Sequence, residues 1–306
     1  MDAPKARGKP FPLSGQSNTK FKPVQAPVSY RIPTGVSDFD SITGGLPPGT
    51  VLLLMGEAGS GHNEFSLTSA SRITYAIDEP VEGSSGFHMG AHHDIPLFPN
   101  QVTYVSFTRS REETMAEIRH TFPPYYPLLL SKHLNYIDLS GAYFADSIVP
   151  PEWSRSKRSI LDGNNSTNES ILSTMARELE SRAKNSLVII ESLSDLLARS
   201  TVNKEDVVTL VKGLRRRAKD WRGLIYILLA RNVAEHWIEE ALKDSVDGVL
   251  SFGWVQNPHK SARLRAMWIE KSMPLLAHVP PERQGRFIIN VSGSSGLVTT
   301  QYERID

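Results

Sequence analysis

Apolar runs of strand length recur along the chain and alternate with segments whose apolar residues fall at helical spacing. Residues 51–55 (Val-Leu-Leu-Leu-Met), 187–190 (Leu-Val-Ile-Ile) and 224–230 (Leu-Ile-Tyr-Ile-Leu-Leu-Ala) are unbroken by charge, as a central parallel strand buried on both faces requires. Further strands are expected at 102–107, 134–139, 249–252 and 264–270. Between them, helices are expected from Asn63 onward (Phe65, Leu67, Thr68, Ala70), over 111–120, over 171–184 and over 206–221. Apolar strands alternating with helices predict an α/β fold with a mostly parallel central sheet, helices on both faces, and ligands at the carboxyl ends of the strands. Residues 287–291 and 297–300, joined by Ser-Gly-Ser-Ser-Gly, predict a C-terminal β-hairpin.

The folded part is expected to be one domain over residues 31–303, with insertions at 79–100 and 149–170, where Gly, Pro, Ser, Asn and His appear without period. Residues 1–30 form a Pro-rich basic tail: the first 29 carry Lys5, Arg7, Lys9, Lys20 and Lys22 against Asp2, a balance of +4 that leaves −3 for the remainder of a chain of net charge +1. Such composition predicts a flexible arm without its own core. No apolar run approaches the roughly 20 residues of a membrane span, and no basic-then-apolar leader opens the chain. With zero cysteines, disulfides and thiolate chemistry are excluded, and a reducing cytoplasm is the expected compartment.

The candidate chemistry lies directly after the first strand. Gly56-Glu57-Ala58-Gly59-Ser60-Gly61-His62-Asn63 has the glycine spacing of a phosphate-cradling loop, G-x-x-x-x-G-K-[S/T], between a strand and a helix. His62 stands at the lysine position and Asn63 at the hydroxyl position. A Lys ammonium 4 Å from phosphate is worth roughly 4 kcal/mol at an effective dielectric near 20, whereas a neutral imidazole offers a hydrogen bond of about 1 kcal/mol. Polyphosphate affinity should therefore fall by orders of magnitude unless other groups compensate. Glu64, in the first helical turn, adds a charge that suits an empty helix N-terminus better than a filled one. The plain alternative is a Gly-rich turn without a ligand. At the end of the 187–190 strand, Glu191 stands where a nucleotide hydrolase keeps its Mg²⁺-side acid, with an exposed strand terminus as the alternative.

Taken together, these segments resemble the KaiC-type branch of the RecA superfamily. The matching residues are Thr34-Gly35-Val36-Ser37-Asp38-Phe39-Asp40, Gly44-Gly45-Leu46-Pro47-Pro48-Gly49, Tyr104-Val105-Ser106-Phe107, Ile189-Ile190-Glu191-Ser192-Leu193-Ser194, Asp247-Gly248-Val249-Leu250 and Ile269-Glu270-Lys271. They fall in the family's order over about residues 32–300. The resemblance implies a RecA-like P-loop fold, ATP and Mg²⁺ as cofactors, self-assembly or a related RecA-fold partner, and a prokaryotic, archaeal type of source. It also exposes departures. The paired glutamates that polarise the attacking water correspond to Thr108 and Arg109. The family's lysine that crosses a subunit interface corresponds to Lys271, and the arginine two residues later to Met273.

The expected function is therefore nucleotide binding, present or ancestral, with weak or no hydrolysis, in a regulatory or assembly role. An active ATPase with a non-standard loop is one alternative. A DNA-binding recombinase paralogue is another, using Lys212, Arg215, Arg216, Arg217, Lys219 and Arg222 and the basic tail, although a solvated helix face is the favoured explanation of those charges. His88, His92, His93 and Asp94 have the composition of a metal cluster but lie in an irregular insertion. Tyr125, Tyr126, Tyr143, Phe144 and Trp153 are explained by packing and loop anchoring.

Overall fold

The computed structural model describes residues 29–80, 87, 95–145, 147–154, 170–256, 262–272 and 285–304. Nine strands form one sheet: β2 (Thr50–Gly56), β4 (Gln101–Ser106), β5 (Leu134–Asp138), β6 (Ser186–Glu191), β7 (Leu224–Ala230), β8 (Gly248–Gln256), β9 (Arg263–Ser272), β10 (Gly285–Ser292) and β11 (Gly296–Arg304). Their order is β11-β10-β9-β8-β2-β7-β6-β4-β5. From β8 to β5 every pairing is parallel, whereas β9, β10 and β11 extend the sheet antiparallel beyond β8. A separate parallel pair joins β1 (Tyr30–Arg31) to β3 (Ile95–Pro96), so the described end of the 79–100 insertion is tied to the start of the fold.

The unbroken apolar strands divide strictly by residue parity, because successive side chains leave opposite faces of a pleated strand. Val51, Leu53, Met55, Val188, Ile190, Ile225, Ile227 and Leu229 enter one core. Leu52, Leu54, Leu187, Ile189, Leu224, Tyr226 and Leu228 enter the other. The first core is closed by α7 (Ile171–Arg182), α8 (Leu193–Ala198), α9 (Lys204–Trp221) and α10 (His236–Ser245). Over the second lie α1 (Ser37–Thr43), α2 (His62–Asp78), α3 (Arg111–Thr121) and α4 (Tyr125–His133). Two short helices, α5 (Ser140–Phe144) and α6 (Pro151–Ser154), follow β5.

The parallel sheet, its two helical layers and the C-terminal hairpin agree with the sequence-based expectation. Helices α1, α4, α5, α6, α8 and α10 were not expected, and α6 lies within the 149–170 insertion. In α10, Ile238 and Leu242 are buried at i,i+4 while Trp237 remains 48 % exposed, so the apolar stripe is too short to stand out as a period. The hairpin differs in packing as well as length: Leu297 N–H donates to Thr68 Oγ1 at 2.8 Å, which ties it to α2 behind the phosphate loop. Trp153 is 80 % exposed, so core packing does not account for it. Among the described residues, no helix is long and apolar enough to cross a membrane.

The Thr34-to-Asp40 segment ahead of the loop is organised by one carboxylate. Asp40 is fully buried and accepts from Thr34 N–H, Thr34 Oγ1–H and Gly35 N–H, each at 2.8 Å. Burial outweighs those donors and pushes its carboxyl up to about 7. This buried carboxylate fixes the Thr34–Gly35 turn ahead of α1.

Candidate nucleotide site

Residues 56–63 leave the carboxyl end of β2 beside β7 and β8, where Gly56 is paired with Ala230 and Phe252. The loop closes on itself: Ser60 N–H and Ser60 Oγ–H both donate to Glu57 O, at 3.1 and 2.7 Å. Gly61 then takes φ +116° as the N-cap of α2 and supplies no side-chain cap. Because a helix cannot satisfy its own first amides, the N–H groups of His62, Asn63 and Glu64 have no acceptor among the described residues. Unclaimed amides at the positive end of a 17-residue helix are the backbone part of an anion site.

The side chains tell a different story. His62 folds back against the loop, so close that a Cβ on Gly56 would lie 2.5 Å from its Nδ1 and 2.7 Å from Ser60 Oγ. Burial drives the imidazole down to about 4, leaving it neutral at pH 7. Its Nδ1, like Asn63 Oδ1, is buried without a hydrogen-bond partner. On the far side a Cβ at Gly61 would meet Ile289 Cδ1 at 2.8 Å, so the hairpin braces the loop from behind. The loop thus offers unclaimed backbone amides, but its own side chains provide no cation.

Two arginines that the motif did not reveal approach the loop from neighbouring strands. Arg265 of β9 donates from Nε to Gly59 O at 2.8 Å, and Trp254 of β8 donates from Nε1 to Ala58 O at 3.3 Å. The guanidinium of Arg265 lies 4.9 Å from the Trp254 ring centroid, within cation–π range. Arg231, just past β7, donates its backbone N–H to Gly56 O at 2.8 Å while its guanidinium lies over Trp268. Strand parity and the β8–β9 register place Arg265 opposite Trp254. No signal in the sequence puts that pair over Ala58 and Gly59.

Glu191 ends β6, two strands from β2 and so about 10 Å across the sheet. Through β7 it lies level with Leu54, slightly below the loop. Both of its oxygens are engaged. Arg109 Nη2 reaches Oε1 at 2.9 Å, and the Tyr104 hydroxyl donates to Oε2. Arg109 also pairs with Glu117 of α3 through Nη1. Burial raises the Glu191 carboxyl, with Arg109 and then Tyr104 pulling it back down. Tyr104 is held in turn by stacking on Tyr136, with ring centroids 5.6 Å apart. The sequence marked Arg109 only as the loss of a water-polarising acid; in the structure it occupies the remaining one.

These positions decide which groups fit. Free helix amides suit phosphate oxygens, and the imidazole Nδ1 does so in the tautomer that carries its proton there. A divalent cation is poorly served by the donors present: Glu191 already holds a guanidinium and a phenol, and Asn63 offers a single neutral amide oxygen in place of a hydroxyl. Among the described residues, no cluster of three or more His, Asp or Glu could hold a metal ion. The His88, His92, His93 and Asp94 cluster and Met273 lie outside the described residues.

Lys271 is not brought to the loop. It is paired with Val249, near the start of β8 and thus toward the opposite edge of the sheet, where its Nζ donates to Lys243 O and Asp244 O at 2.9 and 3.0 Å. There it caps the C-terminal end of α10, a favourable position for a cation. Half of the basic set on α9 is similarly committed to the fold. Arg215 and Lys219 grip Asp247 at 2.8 and 3.0 Å, and Arg217 pairs with Glu180 and Asp220. Burial pushes the Asp247 carboxyl up, but the Val51 amide, Lys219 and Arg215 hold it below its usual range.

Comparison with solved structures agrees with the fold. A KaiC-like protein from the hyperthermophilic archaeon Pyrococcus horikoshii superposes with a TM-score of 0.57 at 14 % identity, covering 89 % of this chain and 100 % of its own. The fold is RecA-like. The flagellar accessory protein FlaH from Methanocaldococcus jannaschii gives a TM-score of 0.56 at 18 % identity over 87 % of this chain and 96 % of its own. No protein-family model matches the sequence, and no curated protein matches it. At these identities the RecA-like likeness is one of fold.

Proposed function

We propose that this chain is a KaiC-like protein that binds ATP weakly at residues 56–63, turns it over very slowly or not at all, and acts as a regulatory or assembly partner. Its partner would be a second copy or a related RecA-fold protein. One observation carries the reading: Arg109 sits where a water-polarising acid is expected and forms an ion pair with Glu191, the nearest acid at a strand end. Arg109 thus leaves no free carboxylate at the water-polarising position, and neutral His62 cannot neutralise charge on a departing phosphate.

The rival reading, an active ATPase, draws support from Arg265, whose guanidinium borders the loop at Gly59. Calorimetric titration separates binding from no binding. Losing the loop lysine costs about 3 kcal/mol net, which would move a micromolar site to about 0.1 mM. A dissociation constant near that value supports the proposal, whereas no detectable heat at millimolar ATP contradicts it.

A further inference from the structure

We infer that Arg109 occupies Glu191, the acid where a divalent metal would be held, so that the loop accepts its polyphosphate metal-free rather than as a magnesium chelate. This rests on the nucleotide-binding reading above. The guanidinium bridges two carboxylates, reaching Glu191 Oε1 at 2.9 Å with Nη2 and Glu117 with Nη1. Tyr104 closes the other oxygen of Glu191. A metal arriving there must displace a charge-assisted hydrogen bond from a mostly buried acid, and the guanidinium, with no proton to shed, stays cationic beside the incoming ion.

The cluster is also held in place from behind. Arg109 N–H donates to Ser106 Oγ at 3.0 Å, and the Tyr136 hydroxyl donates to Arg109 O at 3.0 Å. Its backbone is thus fixed at the end of β4, beside β6, while its side chain remains 38 % exposed toward the strand-end edge. Two carboxylates around one guanidinium leave the cluster net negative, so Arg109 keeps a metal off Glu191 rather than drawing polyphosphate toward it. Arg109 is accordingly a positioning residue, and the property it sets is metal dependence.

The test uses the full chain and two readouts. Free Mn²⁺ is followed by electron paramagnetic resonance as protein is added, and ATP affinity is measured by calorimetry in EDTA and in excess Mg²⁺. Wild type should leave Mn²⁺ free and bind ATP at least as tightly in EDTA as in Mg²⁺. Arg109→Ala should bind Mn²⁺ at least tenfold more tightly than wild type, and Arg109→Lys should restore the wild-type pattern. Wild-type Mn²⁺ binding that is lost in Glu191→Gln overturns the inference, and that arm does not depend on Arg109→Ala folding. A tenfold loss of wild-type ATP affinity in EDTA overturns it as well. If ATP binds in neither medium, the nucleotide-binding reading fails, and the Mn²⁺ comparison still decides the role of Arg109.

Discussion

Burial of His62 predicts a stability signature that can be worked through in numbers. The imidazole titrates at about 4 in the folded chain against an ordinary 6.5. A base whose folded value is depressed is neutral in both states above 6.5, and below that the unfolded chain takes up the proton first. Stability is thus fully present at neutral pH and is lost as pH falls from 6.5 toward 4. With those two values, linkage gives about 2.5 kcal/mol lost at pH 4.5 and less than about 0.1 kcal/mol at pH 7.5; discounting for the part of the ring that meets solvent leaves about 2 kcal/mol. His62→Gln removes the titration while keeping a neutral polar side chain. Urea denaturation of both proteins at pH 7.5 and pH 4.5 isolates the effect as a difference of differences, free of every other titrating group. Wild type should lose about 2 kcal/mol relative to His62→Gln on acidification. An offset unchanged between the two pH values would refute the reasoning, because it would mean that His62 is solvated or paired and can charge at mildly acidic pH.

Other substitutions follow from the same contacts. Arg109→Ala leaves Glu191 with Tyr104 alone; a fully buried broken pair costs about 3–5 kcal/mol, and the open side of Arg109 reduces this to about 2, a fall in Tm of roughly 4–8 °C by circular dichroism. Asp40 has the opposite sign to His62: its folded carboxyl near 7 lies above the ordinary 3.8, so the stability of wild type relative to Asp40→Asn should decline as pH rises from about 4 to 7, measured by denaturation at several pH values. Gly61→Ala at φ +116° drives a methyl against Ile289 Cδ1 and should cost about 1–3 kcal/mol by the same assay. Because Trp254 donates to Ala58 O, ATP should change tryptophan fluorescence in wild type, and Trp254→Phe should abolish most of that change.

What was legible in the sequence is what local chemistry writes directly. Strands 51–55, 187–190 and 224–230 are apolar at every position, and only a sheet covered on both faces accepts them. The glycines of the loop announced its turns, and Gly61 at φ +116° shows why no other residue would serve as well. The site's electrostatics could not be read in the same way. Arg109 and Glu191 are 82 positions apart and meet only because β4 and β6 pair with Ser106 opposite Glu191. Arg265 reaches Gly59 across 206 positions by way of the antiparallel extension. That Lys271 caps α10 was equally hidden, because its acceptors, the terminal carbonyls of that helix, are backbone atoms that no sequence pattern displays.

The central claim is that the shape of a phosphate loop is retained while the charges that drive phosphoryl cleavage are not. Single-turnover release of labelled phosphate from ATP, with protein in excess, tests it most directly. The account predicts a rate below about 10⁻³ s⁻¹, no faster than an unassisted GTPase. Release faster than that, rising in proportion to protein concentration, would contradict it.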